Sequence, residues 1–213
     1  MRKISYIIFI CLCFACDSEN AGDCFQTTGA IIQQKFKVPA FDKILVNKDV
    51  ELILKEGPSQ EVIVETGKNL LNDVSLKVMD NQLILTDGNT CNFVRAYGTT
   101  KVYVTSPNIT EVRSATQYDI KSDGVLTYPD LTVLSEDFGV PESINTGNFY
   151  LDIDNEYFAL VFNNLSNAFI SGKTNNLRII LASGLSHFEG RNLIAQNISI
   201  SQRSSNDIII NPQ

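Results

Sequence analysis

From about residue 102 onward the chain repeats itself roughly every twenty residues, and a repeat of that length limits the available folds more than any other feature. The clearest copies are Phe158-x-Leu160-x-Phe162, Leu177-x-Ile179-x-Leu181 and Ile198-x-Ile200, whose starts lie 19 and 21 residues apart. Eleven residues after each start stands another apolar side chain, Phe169, Phe188 and Ile209. The stretch between is small and polar: Asn163-Asn164, Ser183-Gly184, Ser204-Ser205-Asn206. Each copy therefore reads as strand, tight corner, strand. Looser copies start at Val102 and Leu131, at spacings of 29 and 27 that imply inserted loops. Apolar alternation at period 2 marks strands. A unit this short cannot bury its own apolar face and must stack on its neighbours. The pattern fits a coil of a right-handed parallel β-helix, each coil ~4.8 Å above the last with inward side chains in columns. Phe188 is expected to point inward between Phe169 and Ile209. The alternative is a β-sandwich whose strands share a similar spacing.

Residues 41–86 alternate without repeating. Val50, Leu52 and Leu54 lie on one face with Glu51 and Lys55 opposite, and Val62 and Val64 are flanked by Glu61 and Glu65. Gly57-Pro58-Ser59-Gln60 and Met79-Asp80-Asn81-Gln82 are turn sequences, so two antiparallel hairpins are expected, one around each. Residues 68–74 suit a short helical turn, and no long amphipathic helix is expected after residue 16. The fold class is all-β, with a hairpin part over residues 36–100 and solenoid repeats over 101–211.

The N-terminus reads as an export address. Arg2 and Lys3 precede an apolar run over 4–14, then Ala15 and Cys16. As a helix that run would span only ~16 Å, about half of a bilayer's hydrocarbon core. Leu12-Cys13-Phe14-Ala15-Cys16 resembles a bacterial lipobox, with Cys13 where an aliphatic residue is usual. Residues 1–15 are then a signal peptide, Cys16 carries the lipid and 16–35 form the tether, which makes the membrane a partner through the anchor. Asp17 and Glu19 resemble the export tags of Bacteroidetes surface lipoproteins. The full chain has a formal charge of -7, and losing Arg2 and Lys3 leaves 15 basic against 24 acidic residues. Nucleic acid is excluded as a partner, because binding it needs a basic face that displaces phosphate counterions.

Of the five cysteines, Cys11 and Cys13 leave with the signal and Cys16 takes lipid. Cys24 and Cys91 either pair in an oxidising compartment or remain two thiols. A bridge closing 67 residues would constrain the unfolded chain by roughly 4 kcal/mol.

Phe41-Asp42-Lys43-Ile44 through Leu83-Ile84-Leu85, followed by Leu181-Ala182-Ser183-Gly184-Leu185-Ser186, is similar to the head GIN domain family of putative auto-transporter adhesins over residues 36–211. The resemblance implies an exported Bacteroidetes envelope protein. Family corners often read Ser-Gly-Ser-Gly-Asp. Ser171-Gly172 and Ser183-Gly184 come close, whereas Leu134-Ser135-Glu136-Asp137-Phe138-Gly139 and Ser201-Gln202-Arg203-Ser204-Ser205-Asn206-Asp207 have diverged.

Candidate chemistry is sparse. His187 is the single histidine, no Gly-x-Ser-x-Gly elbow accompanies it, and no catalytic residue is assigned. Asp152-x-Asp154-x-Glu156 has the alternation of a calcium loop, but Tyr157 stands where the loop needs Gly and Asn163 where it needs Glu. These carboxylates are expected on the solvent side of a strand, and neither metal nor other cofactor is expected. Glu136, Asp137 and Glu142 form an acidic loop, and a lyase would require a base such as Arg113, Arg178 or Arg191 near it. Tyr97, Tyr103, Tyr118, Tyr128, Tyr150 and Tyr157 supply aromatic surface for stacking on sugars where they are not core. The triplets at Asn108, Asn164 and Asn197 read as incidental in a bacterial lipoprotein. Three functions stay open: a non-enzymatic adhesion module for glycan or envelope protein, a structural or signalling envelope part, and a carbohydrate-active enzyme. The expected location is the cell envelope, lipid-anchored to the outer membrane on its periplasmic or cell-surface side.

Overall fold

The computed structural model describes residues 24–89, 91–136, 143–203 and 207–211. The expected signal peptide, Cys16, Asp137, Glu142 and the Ser204-Ser205-Asn206 corner lie outside them. Among the described residues the regular elements are strands and one 3-10 turn: β1 (Ile31–Phe36), β2 (Lys43–Asn47), β3 (Val50–Glu56), β4 (Glu61–Gly67), β5 (Val74–Met79), β6 (Gln82–Asp87), β7 (Thr100–Ser106), β8 (Glu111–Ala115), β9 (Ile120–Leu126), β10 (Asp130–Ser135), β11 (Phe149–Phe162), β12 (Ala168–Leu181), β13 (Phe188–Gly190), β14 (Leu193–Gln202) and β15 (Ile208–Ile210). The turn, Leu71–Asp73, falls within the stretch expected to be helical.

Hydrogen bonds join the strands into one curled mixed sheet, a half-barrel whose main path is β1-β4-β7-β3-β9-β11-β10-β8-β2-β6-β5. Most pairs are parallel; β1–β4, β4–β7 and β5–β6 are antiparallel. Two rows of strands meet in β11, whose first half pairs with β9 and whose second half pairs with β10. β12 follows β11 in register along both halves, then pairs with β13 by its start and β14 by its end.

Side-chain alternation turns this register into two inner columns. One runs Leu83, Ile44, Val112, Val133, Leu160, Ile179, Ile200. The other runs Val64, Val102, Leu52, Ile120, Phe149, Ala168, Phe188, Ile208. The Phe149 and Phe162 rings, 5.2 Å apart, link the rows into a single apolar core. Ile200, at the end of its column, has no further rung above it among the described residues and is exposed.

The repeat copies starting at Leu131, Phe158, Leu177 and Ile198 stack in register, as their spacing predicts. The expected copy at Val102 does not: β7 lies in the other row, between β3 and β4. That placement also removes the expected Gly57-Pro58-Ser59-Gln60 hairpin, since β3 runs parallel to β7 and β4 antiparallel to it. Alternation identifies a strand but not its neighbour, and a short connection can cross over a strand inserted later. The second hairpin forms as expected, Met79 opposite Gln82, because Asp80 and Asn81 take the positive φ that a tight turn demands. Parallel stacking thus reaches back into residues 36–100 through β2, β3 and β6.

Phe188 is buried as expected, but its column neighbours are Ala168 and Ile208 in place of Phe169 and Ile209. The register differs by one residue, which turns Phe169 to the outer face.

Corners are closed by side-chain ladders. Asn148 Oδ1 accepts from the Asn167 backbone N–H and amide at 3.1 and 3.0 Å, and Asn167 Oδ1 accepts from the His187 N–H at 3.0 Å. At the next corner the Asn164 carbonyl accepts from the Leu185 N–H and the Ser186 hydroxyl, each 2.9 Å. Gly184 has φ +82° there, and a Cβ on it would run into that carbonyl.

Candidate functional site

The one-residue shift that removes Phe169 from the core builds the most developed surface site. Opposite the inner column, an outward row runs in register through Lys35, Ile63, Tyr103, Ile53, Lys121, Tyr150, Phe169 and Glu189. Adjacent rungs lie ~4.8 Å apart, a distance at which aromatic rings stack. Tyr150 and Phe169 do so, with centroids 4.9 Å apart and planes within 5°. Tyr150 remains 39% exposed, and the His187 ring lies tilted 6.4 Å beyond Phe169.

The rings form one wall of a groove of about 410 Å³, closed by Ser122, Asp152, Ser171, Glu189, Arg191 and Asn192. A break in the β9–β11 register between Tyr150 and Asp152, where β9 carries two extra residues beside Gly124 at φ +94°, interrupts the ladder and bends β9 there. Ser122 Oγ accepts from the Asp152 backbone N–H at 2.9 Å and bridges the break.

Two salt-bridged groups, Glu189–Arg191 and Lys121 with Glu51 and Asp119, stand around the groove. Arg191 grips Glu189 through Nε at 3.0 Å and Nη2 at 2.8 Å, and its own backbone N–H donates at 3.1 Å. That backbone bond above all, then the guanidinium and His187, holds the Glu189 carboxyl below the usual carboxylate range. Lys121 reaches Glu51 at 2.7 Å and Asp119 at 3.3 Å, and the hydrogen bond to Glu51 keeps its ammonium protonated above the usual lysine range. Further along the row a smaller hollow of about 180 Å³ is lined by Ile53, Ile63 and Tyr103, beside the Lys55–Asp123 pair at 2.7 Å. Burial and then Glu65 push the Tyr103 phenol up.

The residues singled out in the sequence fall in different places. Tyr150 and Tyr103 face the outer row. Tyr128 is buried, donates to the Ser106 carbonyl at 3.1 Å and has its phenol raised by burial. Tyr118 packs under Gly98, Tyr157 is half-buried and Tyr97 is exposed on the β6–β7 loop. Asp152 reaches the groove, but Asp154 pairs with Lys173 at 3.1 Å and Glu156 accepts from the Asn175 amide at 2.6 Å. Among the described residues no three His, Cys, Asp or Glu side chains gather as a metal site. Arg113 pairs with Glu111, Arg178 is exposed on β12, and only Arg191 belongs to the groove. Of the acidic loop, Glu136 alone is described. Asn108 is exposed, while Asn164 and Asn197 make structural bonds to Ser135 and Asn176. Cys24 and Cys91 are joined in a disulfide.

Phe169, Glu189, Arg191 and Asn192 were not foreseen together. Their signal was present: Tyr150, Phe169 and Glu189 are spaced by 19 and 20 residues, the repeat's own period.

This curled, largely parallel all-β architecture recurs in bacterial proteins of known structure. A putative adhesin from Bacteroides fragilis NCTC 9343 superposes with TM-score 0.73 at 18% identity, covering 85% of this chain and 81% of that one. A putative adhesin from Parabacteroides merdae ATCC 43184 gives TM-score 0.60 at 13% identity, covering 85% and 82%. A putative lipid binding protein from Parabacteroides distasonis ATCC 8503 gives 0.56 at 10%, covering 86% and 83%. The family model described as putative auto-transporter adhesin, head GIN domain, matches residues 40–213, and the chain belongs to that family. No curated protein matches it. Among the described residues no helix is long and apolar enough to cross a membrane.

Proposed function

We propose that the chain is a non-enzymatic adhesion head of the cell envelope, held by a lipid on Cys16, and that it binds neutral glycan in the groove walled by Tyr150 and Phe169. The observation that carries this reading is the coplanar Tyr150–Phe169 stack standing on an exposed rigid sheet beside hydrogen-bonding side chains. Aromatic walls bury the apolar faces of sugar rings, while Asp152, Ser171, Asn192 and the Glu189–Arg191 pair offer acceptors and donors to hydroxyls. Lys101, Lys121 and Arg191 offset Glu51, Asp119 and Glu189, and Asp152 leaves the surface with a surplus negative charge, so it favours an uncharged ligand over an anionic polymer.

Binding is favoured over catalysis by the Arg191-held state of Glu189. Glycoside cleavage by an acid–base pair needs one carboxyl raised enough to donate a proton. Glu189 is shifted the opposite way by Arg191, which suits it to accept hydrogen bonds.

A screen of neutral and acidic oligosaccharides against the folded protein tests the proposal. Tyr150→Ala and Phe169→Ala should each weaken the selected neutral glycan by roughly two- to twelvefold, matching ~0.5–1.5 kcal/mol for an aromatic contact. Selection of acidic glycans alone, or binding indifferent to both truncations, would reject it.

A further inference from the structure

A second aromatic surface lies away from the groove, where the described chain begins. Phe25 is 58% exposed, Phe93 74%, Val94 54% and Tyr97 75%, and the Phe25 and Phe93 rings lie 5.7 Å apart. Large apolar side chains gathered in one exposed place mark a contact surface.

The cluster is braced from below. The Cys24–Cys91 disulfide ties the entering chain to the β6–β7 loop, and the Phe93 backbone N–H donates to the Cys24 carbonyl at 3.0 Å. Arg95 donates to the carbonyls of Cys91 at 2.8 Å and Gln26 at 3.3 Å, and the Asn92 side chain closes the turn onto the Arg95 backbone with two bonds of 2.8 Å. These bonds brace the loop while Phe93, Val94 and Tyr97 stay exposed, the Tyr97 hydroxyl donating back to the Asn92 carbonyl at 3.4 Å.

The position of the cluster in the chain identifies what it meets. Cys24 follows Cys16 by eight residues, a reach of at most roughly 29 Å fully extended. A lipid on Cys16 therefore keeps this cluster within one tether length of the bilayer surface. Phenyl rings and a tyrosine, with its apolar body and polar tip, suit the water–lipid boundary. The chain's net negative charge makes such a contact apolar and independent of anionic lipid.

We propose that the disulfide-braced cluster of Phe25, Phe93, Val94 and Tyr97 rests in the interface of the membrane that holds the Cys16 lipid. It is a second membrane signal beside the acyl chains and it fixes the head's orientation on the bilayer. This inference rests on the Cys16 anchor proposed above and is independent of the glycan groove.

The chain contains no Trp, so one introduced Trp is a clean reporter. The full lipidated protein carrying Phe93→Trp is reconstituted into phosphatidylcholine vesicles with brominated acyl chains and compared with Leu185→Trp, a site 71% exposed on the loop before β13. Both variants are checked for unchanged circular dichroism. The expected result is blue-shifted, bromine-quenched emission from Phe93→Trp with a several-fold loss of acrylamide quenching, while Leu185→Trp stays open to acrylamide. If vesicle-bound protein leaves both tryptophans equally open, or both equally quenched, the interfacial contact is wrong although the anchor holds. If the protein does not float with the vesicles, the anchor reading fails and takes the inference with it.

Discussion

Phe188 and Phe169 lie on neighbouring rungs one residue out of register, and truncating each in turn measures where the core ends. Phe188 is fully buried on β13 between Ala168 and Ile208. The alanine opposite it leaves room for the ring, and Gly190 lies so close that a Cβ there would touch it. Phe188→Ala therefore removes a whole phenyl from a site with little freedom to collapse. The loss is ~3–5 kcal/mol, the range for buried Phe truncations. At ~2–4 °C per kcal/mol for a domain of this size, the melting temperature should fall by roughly 6–20 °C. Phe169→Ala, on the outer face against Tyr150, removes one stacked contact worth ~0.5–1.5 kcal/mol and some covered area. Urea titrations followed by tyrosine fluorescence and circular dichroism read both variants on one scale. A Phe169→Ala loss equal to or larger than that of Phe188→Ala would refute the register and, with it, the placement of the groove.

Reduction of the Cys24–Cys91 bridge, which closes a 67-residue separation, should destabilise the protein by about 4 kcal/mol, seen as a melting temperature lower by roughly 8–16 °C in reductant. An unchanged melting curve with both thiols shown to be free would contradict that assignment. Glu189, whose folded-state carboxyl is lowered chiefly by the Arg191 backbone N–H, contributes stability above the ordinary carboxylate value and loses it as pH falls through the folded value. Melting temperatures of Glu189→Gln between pH 3 and 6 should therefore fall less steeply with acid than those of the parent, and parallel curves would remove Glu189 from the account.

The twenty-residue period carried the fold a long way. A spacing of 19 and 21 residues between Phe158, Leu177 and Ile198 sets three strands in parallel register, because backbone pairing in a stack repeats with the coil. The Asp80-Asn81 turn was equally legible, since a two-residue turn fixes its own pairing. Strand order in residues 36–100 was not. Whether β3 pairs with β4 or admits β7 between them depends on contacts from residues 100–106, and local alternation is the same in both cases. The site was missed for a related reason. Counting eleven residues from Leu177 reaches Phe188 on the inner face, but the same count from Phe158 reaches Phe169 on the outer face. Corner lengths differ by one residue between coils, and one residue inverts a strand's faces. A tyrosine proposed as sugar-stacking surface, Tyr150, did reach the groove, yet the partner that makes it a wall had been assigned to the core.

The most direct measurement of the central claim is a crystal structure of the protein with a neutral oligosaccharide selected by the screen. The account predicts a sugar ring packed within about 4.5 Å of the Tyr150–Phe169 wall, its hydroxyls bonded to Asp152, Asn192 or the Glu189–Arg191 pair. An oligosaccharide bound elsewhere, with the groove occupied only by water, would contradict it.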